Sequence, residues 1–271
     1  MRFGGFNYGA MSVRRAVHPL VVPVRYAGLR PADVLLASYL KSGSTWLRFM
    51  LADIMTGRDP DWSIVTTTIP YVGRHRRTPP ALPMGGRLVY THERATGRAS
   101  RAVYLVRDVR DVVLSEHRWI ARGGTRSDLS EFVTGFIHGE SHLFGFWGDH
   151  VEYWLDSRIA RNDDLLVVKF EELRAAPADH LRRIADFIGL HPSEDEIERA
   201  VADNTLERMK AKEERAPTTA LRQHGTTERF VGEGAVGNWR AKLGGDEIVT
   251  VERASHHALR RLGYPTSELT T

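Results

Sequence analysis

The sequence predicts a single α/β domain, a central parallel sheet flanked by helices. Four short apolar runs, rich in Val, Leu or Tyr, are bounded by polar residues, Gly or Pro. Segments of helical periodicity separate them. Across 271 residues no repeat, low-complexity tract or linker divides the chain, so residues 1–271 read as one domain.

Val34 to Ser38 is the first predicted strand. Thr45 to Met55 follows as a helix, with Trp46, Leu47, Met50, Leu51 and Ile54 on one stripe and Arg48 and Asp53 off it. Arg87 to Thr91 and Ala102 to Val106 are the next strands, and Asp111 to Ala121 is a helix after the third. Asp128 with Glu131 has capping-box spacing at the start of a helix carrying Phe132 and Phe136. Leu165 to Phe170 is the fourth strand. Pro177 suits the first turn of a helix through Ile188 that Gly189 ends. Ser193 with Glu196 is a second capping box, opening a helix to about Ala202. The last helix runs from Gly245 to Leu262, before Gly263 and Pro265. Arg58 to Gly86 and Glu213 to Gly237 give no element and read as functional loops.

There are no cysteines, which excludes disulfides, a thiol nucleophile, iron–sulfur clusters and thiolate zinc sites. Lys+Arg 38 against Asp+Glu 34 gives a net charge of +4, which permits an anionic ligand without demanding nucleic acid. The apolar stretch Ala16 to Val24 is broken by His18, Pro19 and Pro23. It falls short of the roughly 20 residues that span a bilayer and lacks a cleavage site, so a soluble, cytoplasmic protein is expected.

Three strand ends carry the chemistry. Tyr39-Leu40-Lys41-Ser42-Gly43-Ser44-Thr45-Trp46 joins a strand to a helix N-terminus, where unpaired N–H groups and the helix dipole bind phosphate. Lys41 adds a charge, Ser42, Ser44 and Thr45 add hydroxyls, and Gly43 admits close approach. The G-x-x-x-x-G-K-[ST] pattern of nucleoside-triphosphate loops is absent, and on these residues alone a capping turn with an exposed lysine fits as well. Arg107 ends the third strand, and Ser115 lies about a turn into the next helix; together they suit a phosphate monoester. A solvated Arg–Asp cluster is the plainer reading of that block. His92 ends the second strand, between the two loops in sequence. Its ordinary pKa of about 6.5 suits a general base, although it is one of twelve histidines.

In order and spacing these segments resemble the sulfotransferase family, of cytosolic type, that uses 3′-phosphoadenosine 5′-phosphosulfate (PAPS). The phosphosulfate loop of that family reads Tyr-Pro-Lys-Ser-Gly-Thr-Thr-Trp; here Leu40 and Ser44 depart from it. An Arg and a Ser eight residues apart match Arg107 and Ser115. Val168-Lys169-Phe170-Glu171-Glu172-Leu173, Leu206-Glu207-Arg208-Met209-Lys210, Gly234-Ala235-Val236-Gly237-Asn238-Trp239-Arg240 and the ending Leu262-Gly263-Tyr264-Pro265 extend the likeness over about residues 33–265, leaving 1–30 as an extension.

The resemblance implies a P-loop-like sheet, PAPS as donor, adenosine 3′,5′-bisphosphate (PAP) as product and no metal. Lys41, Ser42, Gly43, Ser44, Thr45, Trp46, Arg107, Ser115, Phe170, Leu206, Gly232, Glu233 and Gly234 are then the cofactor-binding residues. His92 is the implied base, with Lys41 and Ser115 beside it in catalysis and Glu93 the second candidate base. Two departures stand out. Tyr90 replaces the lysine of a Lys-Thr-His segment, and Gly232-Glu233 replaces an Arg-Lys pair, a charge that Arg222 or Arg229 would have to restore. The acceptor is expected to be a hydroxyl of a small molecule, glycoside or lipid. Trp119, Phe132, Phe136, Phe144, Phe146 and Trp147 line its pocket or, the better reading at helical spacing, fill the core. A P-loop-type kinase is disfavoured because no strand-end Asp stands ready for magnesium. A non-catalytic anion- or nucleotide-binding module leaves the paired loops unexplained.

Overall fold

The structure is a computed structural model and describes residues 8–121, 128–216 and 231–267, without the side chains of 8–15. Four parallel strands form one sheet: β1 (Val34–Ser38), β2 (Leu88–Thr91), β3 (Arg101–Val106) and β4 (Leu165–Lys169), in the order β2-β1-β3-β4. In register, Leu36 faces Tyr90 on one side and Val103 on the other, and Tyr104 faces Val167. The chain leaves β1 toward β2 and then crosses to β3, so a crevice opens where the order switches, at the carboxyl ends of the strands.

Both faces of the sheet are buried, which is why its strands read as unbroken apolar runs. Leu35, Ala37, Ala102 and Tyr104 point into one core. Val34, Leu36, Val103 and Leu105 point into the other. Helices α2 (Ser44–Thr56), α9 (Pro177–Phe187) and α10 (Glu194–Ala202) close the second core with Leu47, Met50, Leu181, Ile184 and Ile197. The first is closed by α4 (Val109–Ala121), α5 (Leu129–Ile137), α6 (Trp147–Leu155) and α13 (Gly245–Arg261). Of the short helices, α7 (Arg158–Arg161) joins the first core through Ile159, α8 (Phe170–Ala175) and α11 (Leu206–Glu214) join the second through Phe170, Leu173 and Met209, and α12 (Trp239–Lys242) packs its Trp239 with Leu114 and Leu243.

The predicted strands and helices recur within one or two residues. Phe170 begins α8 instead of ending β4, and α4 starts at Val109. Ser193 and Glu196 cap α10 reciprocally. At α5 the Asp128 carboxylate accepts from Ser130 N at 3.1 Å, two residues on, so no reciprocal box forms there.

Seven of the described helices escaped the sequence pattern, the short α7, α8, α11 and α12 and the longer α1 (Tyr8–Tyr26), α3 (Trp62–Thr68) and α6. Helix α1 holds Pro19 and Pro23 inside it. Its inner face is tied down by tertiary contacts, with Tyr26 buried and His18 and Arg25 paired to Glu93. Helix α3 is rich in β-branched residues, and the Asp61 carboxylate caps it by accepting from Ile64 N. It lies in the stretch 58–86 expected to be loop. No helix among the described residues is long and apolar enough to cross a membrane.

Candidate active site

A crevice of about 270 Å³ lies across the carboxyl ends of β1, β2 and β3. The loop from β1 enters it first. Lys41 is left-handed at φ 62, and Gly43 at φ 89 is the N-cap of α2. No side chain caps α2, so the helix presents its first N–H groups to the crevice. Gly43 is needed twice over: its backbone is left-handed, and a Cβ there would stand 2.4 Å from the Phe170 ring. Lys41, Gly43, Ser44, Thr45 and Trp46 all line the crevice. Ser42 does not: it is fully buried, and its hydroxyl has no hydrogen-bond partner among the described residues. The Lys41 ammonium lies 4.6 Å over the Trp119 ring.

The Arg–Asp block of β3–α4 divides its labour. Arg110 is buried, ion-paired to Asp108 at 2.7 Å and to Glu252 at 2.5 Å, with its guanidinium 3.9 Å over Trp239. The Asp111 carboxylate accepts from the N–H of Gly237 at 2.7 Å and of Trp239 at 3.1 Å, pinning that segment to α4. The expected solvated cluster is therefore largely internal structure. Arg107 turns to the crevice, stacked 4.6 Å over Phe170 and donating to Ala235 O at 2.8 Å. Burial lowers its pKa, though Asp111 opposes that. Ser115 lines the same wall.

Phe170, Leu206, Gly232, Glu233 and Gly234 close the far end. Glu233 is exposed and sits among cations, Lys242 at 3.5 Å and Arg118 at 4.0 Å, which hold its pKa low. Arg118 and Arg174 line the crevice and were missed in the sequence. Arg118 lies three residues beyond Ser115 on one helix, a spacing that shares a face and was a usable signal. Arg174 donates to Gly234 O at 3.3 Å, a contact between distant segments that no local pattern reveals. Arg222 and Arg229 lie outside the described residues.

His92 lines the crevice on the β2 side. Its Nδ1 is 2.7 Å from Ser38 O, and its Nε2 is 2.5 Å from the Tyr90 hydroxyl. Burial pushes its pKa down to about 3, so the ring is neutral near pH 7. His150 supports it by reaching the His92 carbonyl at 3.0 Å and the Tyr104 hydroxyl at 2.9 Å. Glu93 points elsewhere: it is 2 % exposed, held by Arg25 at 2.9 Å and His18 at 3.0 Å, and does not line the crevice. Of the six aromatic candidates, Phe132, Phe136, Phe146 and Trp147 are core. Trp119 lines the crevice, and Phe144 lies 5.4 Å from the His92 ring.

One trio among the described residues has metal-ligand spacing, Asp53, Asp59 and Asp203. Arg199, Lys212 and Arg208 already pair with these carboxylates, and none of the three lines the crevice.

An uncapped helix N-terminus, two strand-end cations and a neutral imidazole around one crevice define a parallel α/β enzyme for anionic nucleotides. The chain belongs to the sulfotransferase family: the sulfotransferase domain matches residues 31–263. It is 27% identical to human sulfotransferase 2B1 over 259 residues, covering 88% of this chain and 68% of that protein. It is 28% identical to a flavonol sulfotransferase-like protein of Flaveria bidentis over 200 residues, 65% of this chain and 63% of the relative, just under two thirds of that protein's length. The fold matches a retinol dehydratase crystallised with retinol and PAP (TM-score 0.69, 19% identity, 93% of this chain and 86% of the other). It also matches a mouse sulfotransferase complexed with PAP (TM-score 0.66, 19% identity, 94% and 95%).

Proposed function

We propose that this crevice binds PAPS and passes its sulfuryl group to the hydroxyl of a small-molecule acceptor by in-line transfer. The observation that carries the reading is the convergence of the α2 N-terminus with Lys41, the Arg107–Ser115 pair and His92 on one crevice at adjacent strand ends. The phosphosulfate belongs at Lys41 to Thr45, where the helix dipole and the Lys41 cation favour an anion. The 3′-phosphate belongs at Arg107 and Ser115, with Arg118 restoring charge that Gly232-Glu233 lacks. Trp46, Phe170 and Leu206 suit the adenine. Attacking and leaving oxygens then lie roughly in line through sulfur, with Lys41 on the leaving side and His92 on the attacking side.

A neutral His92 can accept the acceptor's proton, and the engagement of Glu93 by Arg25 and His18 favours His92 over it as base. The retinol dehydratase of like fold, crystallised with retinol and also with androsterone, supports a lipophilic hydroxyl compound, in keeping with Phe144 beside His92 and Trp119 beside Lys41. Thermal denaturation tests the donor: PAP should stabilise the protein by a margin that ATP and oligonucleotides fail to match. Equal stabilisation by ATP would favour a kinase. A mass-spectrometric screen of hydroxylated compounds with labelled donor then identifies the acceptor.

A further inference from the structure

We propose that the outer face of α1, with the arginines beside it, docks on an anionic phospholipid bilayer and lies in the headgroup plane without crossing it. An ordinary surface helix hides its apolar side and shows its polar one. Helix α1 is turned the other way. His18 and Arg25 reach in to the buried Glu93 carboxylate at 3.0 and 2.9 Å, and the Tyr26 hydroxyl meets that of Thr91 at 2.7 Å. Val17, Pro19, Leu20, Val21, Pro23 and Val24 are left outside, with Leu20 74 % and Val24 62 % exposed. Four of the seven large apolar side chains exposed among the described residues belong to this face. Scattered exposed apolar residues are ordinary, but a contiguous patch marks a surface that meets another apolar phase.

The charge around the patch says which phase. Residues 1–32 and 62–92 contain nine arginines and no Asp or Glu, against a net charge of +4 for the whole chain, so the other residues are net negative. The fold sets these two segments side by side. The Arg76 guanidinium donates to the carbonyls of Val24 and Ala27 at the end of α1, and Arg74 and Arg77 on either side of it are exposed. Arg30, just past the helix, is exposed as well. An aliphatic helix face bordered by arginines suits a bilayer interface, with the apolar side among the upper acyl carbons and the cations on lipid phosphates. A second copy of this chain fits less well, because two such faces would bring like charges together. The docking surface stands apart from the sulfuryl-transfer reading. Where that reading holds, the patch borders the acceptor side: the His18 ring is 6.0 Å from Phe144, which is 5.4 Å from His92.

Flotation of the full chain with vesicles tests this. Vesicles of phosphatidylcholine with about 30 % phosphatidylserine should bind the protein at least tenfold more tightly than phosphatidylcholine alone, a gap that narrows as salt rises. Leu20→Glu and Val24→Glu should each weaken binding roughly tenfold. Both positions are exposed, so Tm should hold near the wild-type value. Arg74→Glu combined with Arg77→Glu should weaken binding by a similar factor and flatten the salt dependence. The chain has no cysteine, so a dye on Leu20→Cys reports that position alone. Its emission should shift to the blue on the anionic vesicles and be quenched by bromine-labelled acyl chains. Absence of wild-type binding, or a dye that stays in water while the protein is bound, overturns the proposal. Binding that the arginine changes abolish and neither glutamate affects is adsorption by charge alone and overturns it too. Binding indifferent to phosphatidylserine and to both arginines removes the anionic lipid. A dimer in sedimentation velocity that Leu20→Glu dissolves gives the face to a second copy instead. Should a glutamate variant not fold, the dye on Leu20→Cys still decides.

Discussion

In the proposed reaction Lys41 and His92 do different work, so their variants should fail differently. Lys41, left-handed at the mouth of α2, would face the charge that grows on the leaving phosphate oxygen. Lys41→Ala should lower turnover at saturating donor about 10²–10³-fold, as removal of a single electrostatic donor does. Near-full turnover would remove Lys41 from the chemistry. His92→Ala should cost about 10²–10⁴ in turnover with PAP binding nearly unchanged. Glu93→Gln is expected to spare turnover and lower Tm, because this carboxylate ties α1 to the β2 end through Arg25 and His18. The opposite ranking in a paired turnover assay would make Glu93 the base. At this scale the sequence exposed Lys41, Thr45, His92 and Arg107, which sit at strand ends or a helix start, and missed Arg118 and Arg174, which do not. It left Glu93 open because adjacent residues at a strand end part to different sides, and only the position of α1 decides which side is solvent.

The sheet is clamped at its other end, away from the crevice. Asp33 and Arg87 precede β1 and β2, are both buried and pair at 2.5 Å, with Arg87 also donating to the carbonyls of His75 and Gly28. Asp33→Ala would strand a buried guanidinium, so about 3–5 kcal/mol of stability should vanish in denaturant unfolding while the KM for donor holds steady. The loop before α2 is less forgiving. In Gly43→Ala the new methyl group meets the Phe170 ring, and the residue must also hold φ 89. Weaker PAP binding and a lower Tm are expected together in calorimetry; unchanged binding would mean that the loop shifts without consequence. Helices α1 and α3 show the limit of local pattern. Pro19 and Pro23 argue against one and its β-branched residues against the other, yet docking of their inner faces overrides both.

Acid should weaken the molecule as a whole before the carboxylates titrate. His92 and His150 are both depressed by burial to about 3. In the unfolded chain their pKa values return to about 6.5, so below that pH the unfolded state binds protons that the folded state refuses. Stability from this source is complete above about pH 6.5 and drains away as pH falls toward 3. Thermal unfolding should therefore show Tm level near pH 7–8 and falling by about pH 5, a range in which most carboxylates stay ionised. A Tm that is flat over that interval would mean the two rings are not buried as neutral species.

The sequence by itself determined the α/β class, the four strands, six of the thirteen described helices and two strand-end loops that border the crevice. Those are properties of short segments: period, caps and turn residues written within a dozen positions. Only the tertiary structure decided which charges meet. It placed Arg110 in the core and Arg107 in the crevice, although both belong to one Arg–Asp block. It brought Arg174 beside Gly234 and His150 beneath His92 across gaps of 60 and 58 residues. It set the Ser38 carbonyl, from the neighbouring strand, 2.7 Å from Nδ1 of His92. Sequence spacing constrains neighbours along one element, but the partner across a sheet or crevice depends on strand order and packing, which no local run of residues encodes.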